Sequence, residues 1–329
     1  MESENQKIAP TPKSCTKNTI NFSVIVPVLN EAENIKIFYN EFLKYCPDEN
    51  FELIFVDDGS TDETLSIIKS LADNDERIKY ISLSRNFGKE SAMAAGMKAS
   101  KGKYVINSDV DLQDPLHLLK DMYEAVTEKG YDSAGAIRAG RKGEPVIKAF
   151  CASIFYKLLN LFSSTKIREN VRDFRLMNRT MTNAFLQLSE RNRFSKGIFD
   201  WIGFKTKYFE YEYINRNSGN AKQSFIKLLT LALDGMLSFS VSFLHFISML
   251  GLIFFVISIL VIIYVIYKTI KFGVTASGWA SLVCIIFFCS GIQLLCTGII
   301  GEYIARIYTE TKQRPVFIVR ETNINDFAD

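Results

Sequence analysis

Short apolar runs alternate with amphipathic stretches from Phe22 onward. Phe22–Val28 is apolar and β-branched, and predicts a strand. Asn30, with Glu33 three positions on, predicts the cap of a helix striped by Ile35, Phe38, Phe42 and Tyr45. A second strand, Phe51–Val56, runs into Asp57-Asp58-Gly59. Ser60 and Glu63 then predict the cap of a helix carrying Leu65, Ile68 and Leu71. A third strand, Ile78–Leu83, leads through Ser84-Arg85-Asn86-Phe87-Gly88-Lys89 to a helix ending at Ala99, and a fourth strand spans Lys103–Ile106. Strand–helix alternation at this spacing predicts an α/β fold with a mostly parallel sheet flanked by helices. Ligands of such sheets bind beyond the carboxyl ends of the strands. Asn30-Glu31, Asp57-Asp58, Arg85-Asn86 and Asp109-Val110-Asp111 each follow a strand, so they should meet at one edge.

After Asp234 the pattern changes. Neither Gly235–Tyr267 nor Phe272–Gly301 contains a Lys, Arg, Asp or Glu. Each run exceeds the ~20 apolar residues that cross a bilayer. Two transmembrane helices are expected near Leu244–Tyr267 and Trp279–Ile300, joined as a hairpin by Lys268–Gly278. Lys222, Lys227, Arg306, Lys312 and Arg314 flank the outer ends, against Lys268 and Lys271 in the turn. That bias predicts cytoplasmic termini. The implied order is a polar, disordered tail (1–20) without an apolar signal core, then a cytoplasmic catalytic domain (21–221). A juxtamembrane amphipathic helix (222–243), the hairpin (244–306) and a C-terminal tail (307–329) follow. Val146–Phe162 has near-helical apolar spacing plus Lys148 and Lys157, which suits an interfacial helix or an ordinary core-facing one. Gln293, polar within the second span, suits a homo-oligomer contact or internal packing.

The formal net charge of +3 over 329 residues gives no argument for nucleic acid. The six cysteines show no metal-binding spacing, and with two histidines a His-based metal site is not expected. No GxGxxG, Walker A or G-x-S-x-G motif is present. The stretch INSDVDLQDP (106–115) places three carboxylates in six residues. Like charges repel and each carboxylate resists leaving water, so a positive partner is implied. Asp109 and Asp111, with Gln113 at the same alternate spacing, are hard oxygen ligands suited to Mg²⁺ or Mn²⁺ shared with a diphosphate. The alternative is a plain loop turning at Asp114-Pro115. Of Asp57 and Asp58, one is expected to be structural and the other to accept a ligand amide such as a uracil N–H. Arg85 and Lys89 lie where a phosphate would be met, or are merely solvated.

SVIVPVLNE (23–31), FVDDGSTDET (55–64), SRNFGKESAMAAG (84–96), SDVDLQDP (108–115), RAGRKGE (138–144), RDFRLMNR (172–179) and RFSKGIFDWIGF (193–204) occur in this order. Over residues 20–315 the chain resembles a family 2 glycosyltransferase of GT-A fold. More narrowly it is similar to bacterial polyprenyl-phosphate glycosyltransferases, relatives of dolichyl-phosphate mannose synthase. The resemblance implies that Pro27, Glu31 and Asp58 line a uridine site, with Arg85 and Lys89 nearby. It implies that Asp109, Asp111 and Gln113 meet the metal and diphosphate. Arg138, Arg141, Lys148 and Arg216 would meet the acceptor phosphate, and Asp173 and Arg175 would stand beside the sugar, so that Asp111, Asp173 and Arg175 form the catalytic set. Tyr213 and Ala221 depart from the pattern, where an arginine and a serine are usual. The implied reaction moves a hexose, first of all glucose from UDP-glucose, to polyprenyl phosphate with inversion at a bacterial cytoplasmic membrane. The product would serve cell-envelope glycan modification. A processive polysaccharide synthase is the nearest alternative, but its QxxRW motif and additional helices are missing. A non-catalytic scaffold that binds nucleotide sugar is the other.

Overall fold

The computed structural model describes residues 20–139, 171–188, 190, 191, 193–211, 242–272, 278–325 and 327. The expected N-terminal tail, interfacial helix and juxtamembrane helix (up to residue 241), as well as Arg141, Lys148 and Arg216, lie outside them.

Strand β1 (Phe22–Val28), helix α1 (Ala32–Tyr45), β2 (Phe51–Asp57), α2 (Thr64–Asn74), β3 (Ile78–Leu83), α3 (Lys89–Ala99) and β4 (Tyr104–Asn107) follow the predicted order. Then come α4 (Leu119–Thr127), β5 (Ser133–Arg138), β6 (Val171–Asn178), α5 (Arg179–Gln187), α6 (Ser195–Trp201) and β7 (Thr206–Tyr211). The chain closes with α7 (Ser242–Phe272), α8 (Trp279–Thr311) and β8 (Val319–Thr322). The eight strands form one sheet in the order β7-β5-β6-β4-β1-β2-β3-β8. The centre, β4-β1-β2-β3, is parallel, while β6 and β8 pair antiparallel to their neighbours. Strand order reverses between β1 and β4, which makes their carboxyl ends the switch point where such folds bind ligands.

Two apolar layers cover the sheet. Ile35, Phe38 and Phe42 of α1 pack on Phe51 and Phe55 on one face. Ala92 and Ala95 of α3 pack on Ile25, Ile54 and Val56 on the other. Gly96 lets α3 approach that closely, since a Cβ there would collide with the Ile25 side chain. Phe38 is fully buried, which stabilises the fold by about 1.5–3 kcal/mol relative to exposure. Tyr45, read as part of the α1 stripe, is 40% exposed.

Both predicted helix caps are corrected. Asn30 adopts φ 54, and its Oδ1 accepts from the Thr61 N–H at 2.9 Å. Ser60 Oγ accepts from the Asn30 N–H at 2.9 Å instead of capping α2. These side chains join two loops that converge at the switch point, and that tertiary demand outweighs local capping.

Helix α8 runs 33 residues, eleven beyond the expected span. At 1.5 Å per residue it is about 50 Å long, so roughly 20 Å exceeds the ~30 Å hydrocarbon core. Its far end docks on the sheet domain, where the Arg191 N–H donates to Glu310 Oε1 at 2.8 Å. Leu252, Phe255, Phe287 and Leu294 on α7 and α8 are each more than 60% exposed, as lipid-facing residues are. Both helices are long and apolar enough to cross a membrane.

The expected C-terminal tail contains β8, which completes the sheet beside β3. Its alternation is too short to read from sequence, and the polar exterior Arg320-Glu321 masks it. Asn323 Oδ1 accepts from the Tyr80 N–H at 2.8 Å, and its Nδ2 donates to the Ile78 carbonyl at 3.2 Å. Lys69 and Glu321 pair across the edge at 2.7 Å. Asn323→Ala should lower stability by about 1–2 kcal/mol. Thermal unfolding of the detergent-solubilised chain checks this, and an unshifted midpoint would show that β8 is not held by this side chain.

Candidate active site

The switch point opens into a cleft of about 330 Å³. Pro27, Val28, Leu29 and Glu31 line it from the end of β1, and Asp109, Val110 and Asp111 from the end of β4. Asp58 follows β2, and Asn86, Gly88 and Lys89 bring in the β3–α3 loop. The loops must nearly touch to close the cleft. Gly59, at φ 77, makes that possible: a Cβ there would lie 2.7 Å from the Arg85 carbonyl carbon.

Both aspartates of the 57–58 pair are engaged. Asp57 accepts from the Ser60 N–H and the Ser82 hydroxyl, both at 3.0 Å. Asp58 accepts from the Phe87 N–H at 2.7 Å and the Gly88 N–H at 2.8 Å. Burial raises the Asp58 pKa, and those two amides oppose the rise. Asp58 therefore clamps the β3–α3 loop while facing the cleft.

The acidic loop after β4 is held by buried groups. The Asp109 N–H donates to Asp114 Oδ2 at 2.7 Å, and the Gln113 N–H to Asp111 Oδ1 at 3.1 Å. Leu112 sits at φ 57, a left-handed conformation costly for such a side chain, and it turns the loop between Asp111 and Gln113. Burial, with the nearby Asp109 charge, pushes the Asp114 carboxyl up to about 8. Arg172 reaches this group, with Nε 3.8 Å from Asp114 Oδ1 and Nη2 3.3 Å from Gln113 Oε1.

A second positive group, Lys89, meets the acidic stretch from the cleft side. Its Nζ lies 2.6 Å from Asp109 Oδ1 and 2.9 Å from Asp173 Oδ2. Burial opposes the ammonium charge, but Asp173 and then Asp109 outweigh it and raise the Lys89 pKa. Burial likewise opposes the Asp173 carboxylate, yet Lys89 and then Lys196 hold its pKa below the usual range. Asp173 and Asp109 are opposite one another if the β4–β6 register is carried two residues past Asn107↔Arg175.

The site thus gathers carboxylates and a lysine, with no Cys, His or activated Ser among its lining residues. Carboxylates and an ammonium in one cleft suit the binding of cations and polyanions. Among the described residues no group of three or more acidic, His or Cys side chains forms a complete metal cage. Two carboxylates on one cleft are the partial donor set that Mg²⁺ or Mn²⁺ uses when substrate phosphates supply the rest.

The profile of Glycosyl transferase family 2 matches residues 23–186. The bactoprenol glucosyl transferase of Shigella phage SfII is 42% identical over 307 residues, covering 92% of this chain and 99% of the relative. The chain belongs to glycosyltransferase family 2. CsbB of Bacillus subtilis, a protein named as a glycosyltransferase, is also 42% identical, over 92% of each chain. Among solved structures, the mannosyltransferase PcManGT of Pyrobaculum calidifontis aligns at 15% identity with a TM-score of 0.44, covering 61% of this chain and 58% of that one.

Within this glycosyltransferase, Pro27, Glu31, Asp58, Lys89, Asp109 and Asp111 converge on the cleft, and Asp173 joins them through Lys89. Four expected residues do not line it. Arg85 stacks on the Phe87 ring at 4.1 Å, and the Gln113 side-chain oxygen accepts from Arg172. Arg138 stands farther along the same rim, at the end of β5. Arg175, expected beside the sugar, is 1% exposed and packs 4.6 Å from the Phe199 ring. It donates to the Tyr208 hydroxyl at 3.2 Å. Its position along β6 turns it onto α6 and β7, which it ties to the sheet. Asp114 and Arg172 were missed as site residues. Their signal lay in the charge density of 109–114 and in the neighbour of Asp173. Asp58→Asn should lower stability by about 1–3 kcal/mol, because an amide accepts through one atom only and sets its NH₂ against the second loop N–H. Denaturation of the soluble-domain signal in detergent reads this, and an unchanged transition would refute the clamp.

Proposed function

We propose that this glycosyltransferase transfers glucose from UDP-glucose to a polyprenyl phosphate, inverting the anomeric centre, at the cytoplasmic face of a bacterial membrane. One observation carries the reading. The strand ends that precede α7 and follow α8 both lie on the sheet rim that holds the cleft. Strand β7 runs parallel to β5 and ends at Tyr211, beside Arg138. Strand β8 runs antiparallel to β3 and begins at Val319, beside Leu83. The chain leaves toward α7 from one edge of the sheet and returns from α8 at the other, both times on the ligand-binding side. A donor in the cleft would therefore face the bilayer, where an acceptor with a polyprenyl tail must stay. The name of the phage relative, a bactoprenol glucosyl transferase, supports bactoprenol as that acceptor and glucose as the sugar.

The chemistry follows from the charges. An acceptor phosphate is already anionic near neutral pH, so a strong general base is not required. The difficulty is to bring two anions together. A divalent cation bound to Asp109 and Asp111 would supply charge neutralisation at the leaving diphosphate. Lys89 adds a positive charge beside it, and Asp173 fixes that lysine at 2.9 Å. Arg138 marks the acceptor side, and Arg141, Lys148 and Arg216 would extend it.

Full-length protein incubated with radiolabelled UDP-glucose, Mg²⁺ and undecaprenyl phosphate should yield a lipid-linked monosaccharide. Asp111→Asn should reduce that transfer at least 100-fold. A polymeric product, or no transfer from any of a panel of nucleotide sugars, would overturn the proposal, and a full rate in folded Asp111→Asn would remove Asp111 from the site.

A further inference from the structure

Lys89 stands at the meeting point of the site's charges, and this has a consequence for the order of binding. Its ammonium bridges Asp109 at 2.6 Å and Asp173 at 2.9 Å. Asp109 lines the cleft and is one of two carboxylates there that suit a divalent cation. A divalent cation on Asp109 would stand close to the ammonium at its Oδ1, so the two positive charges repel and each weakens the other's hold on that carboxylate. We propose that Lys89 is an exchangeable counter-cation: it holds Asp109 against a lone metal ion, and gives it up when the ion arrives with a nucleoside diphosphate. The inference rests on the cation site proposed above.

Three features favour exchange over a fixed ion pair. Asp173 provides a second anchor, so Lys89 stays in the site after releasing Asp109. Lys89 is the first residue of α3 and its side chain is 41% exposed, which leaves room for it to swing. Its immediate neighbour is Gly88, at φ 96, in the loop that Asp58 clamps, so the backbone need not move. Once free of Asp109, the ammonium would face the incoming diphosphate, whose added negative charge compensates the loss. The lysine would thus be a positioning residue that couples cation binding to donor binding. Without donor, the metal must compete with an ammonium. With donor, both cations gain a partner.

The coupling is measurable without turnover. Mn²⁺ binding is followed by electron paramagnetic resonance on full-length protein in nanodiscs, with and without UDP. The wild type should bind Mn²⁺ weakly alone and at least tenfold more tightly with saturating UDP. Lys89→Met, which leaves Asp109 without its ammonium, should bind Mn²⁺ alone at least tenfold more tightly than the wild type, and UDP should add little. Lys89→Arg, which keeps the charge, should behave like the wild type. Lys89→Gln provides a second neutral variant should the methionine disturb folding. Equal Mn²⁺ affinity in the wild type and both neutral variants would overturn the exchange while leaving the metal site standing. Absence of Mn²⁺ binding in every protein, even with UDP, would overturn the cation site itself and the exchange with it. Asp109→Asn, which removes the contested carboxylate, should abolish the difference between Lys89 and its neutral replacements.

Discussion

The crowding of carboxylates at the carboxyl end of β4 is the constraint on which the site depends. Asp109, Asp111 and Asp114 fall within six residues, and Asp173 approaches from the next strand. Left alone, such a group would destabilise the fold through repulsion and lost hydration. The structure relieves it in three ways. Asp114 is buried with its pKa raised, and it serves as an acceptor for the Asp109 N–H. Arg172 approaches from the sheet side. Lys89 takes Asp109 and Asp173 from the cleft side. Only the last partner stands in the cleft, so only there is the balance open to change by a ligand.

The parallel centre of the sheet was legible because fully buried strands appear as continuous apolar runs. Phe22–Val28 and Phe51–Asp57 are read almost to the residue. Polar clusters at strand ends were legible for a related reason: topology gathers them at a switch point whatever their chemistry. What escaped was whatever depends on long-range pairing. Asn30 looks like a helix cap and instead binds Thr61, thirty-one residues away. β8 looks like a polar tail because its partner strand lies more than two hundred residues earlier. Arg175 looks catalytic from its neighbours, yet strand alternation directs it to Tyr208 and Phe199.

The clamp at Asp58 links sequence-local and tertiary information. A turn of Asp, Asp and Gly after a strand is common. Here Gly59 is required because the β3–α3 loop passes within contact of its Cα, and Asp58 holds the same loop by two amides. That loop carries Lys89. Asp58, which faces the cleft, therefore also sets where the lysine starts, so the cleft and its lysine are fixed together.

The edge strands extend the same logic to the membrane. A sheet with exposed edges invites pairing with other chains. β8 covers the β3 edge and brings the chain back from α8 beside Ser84, whose N–H donates to the Ile318 carbonyl at 2.9 Å. Ser84 opens the loop that ends at Lys89. The C-terminal end of α8 docks at Arg191, on the segment that precedes α6. The returning chain is thus fastened at two places on the catalytic domain, one of them directly behind the cleft loop. In the proposed arrangement such a connection limits how far the cleft can tilt or rise from the lipid surface. For the proposed joining of a soluble donor to a lipid-borne anion, that height is as much a part of the active site as the carboxylates are.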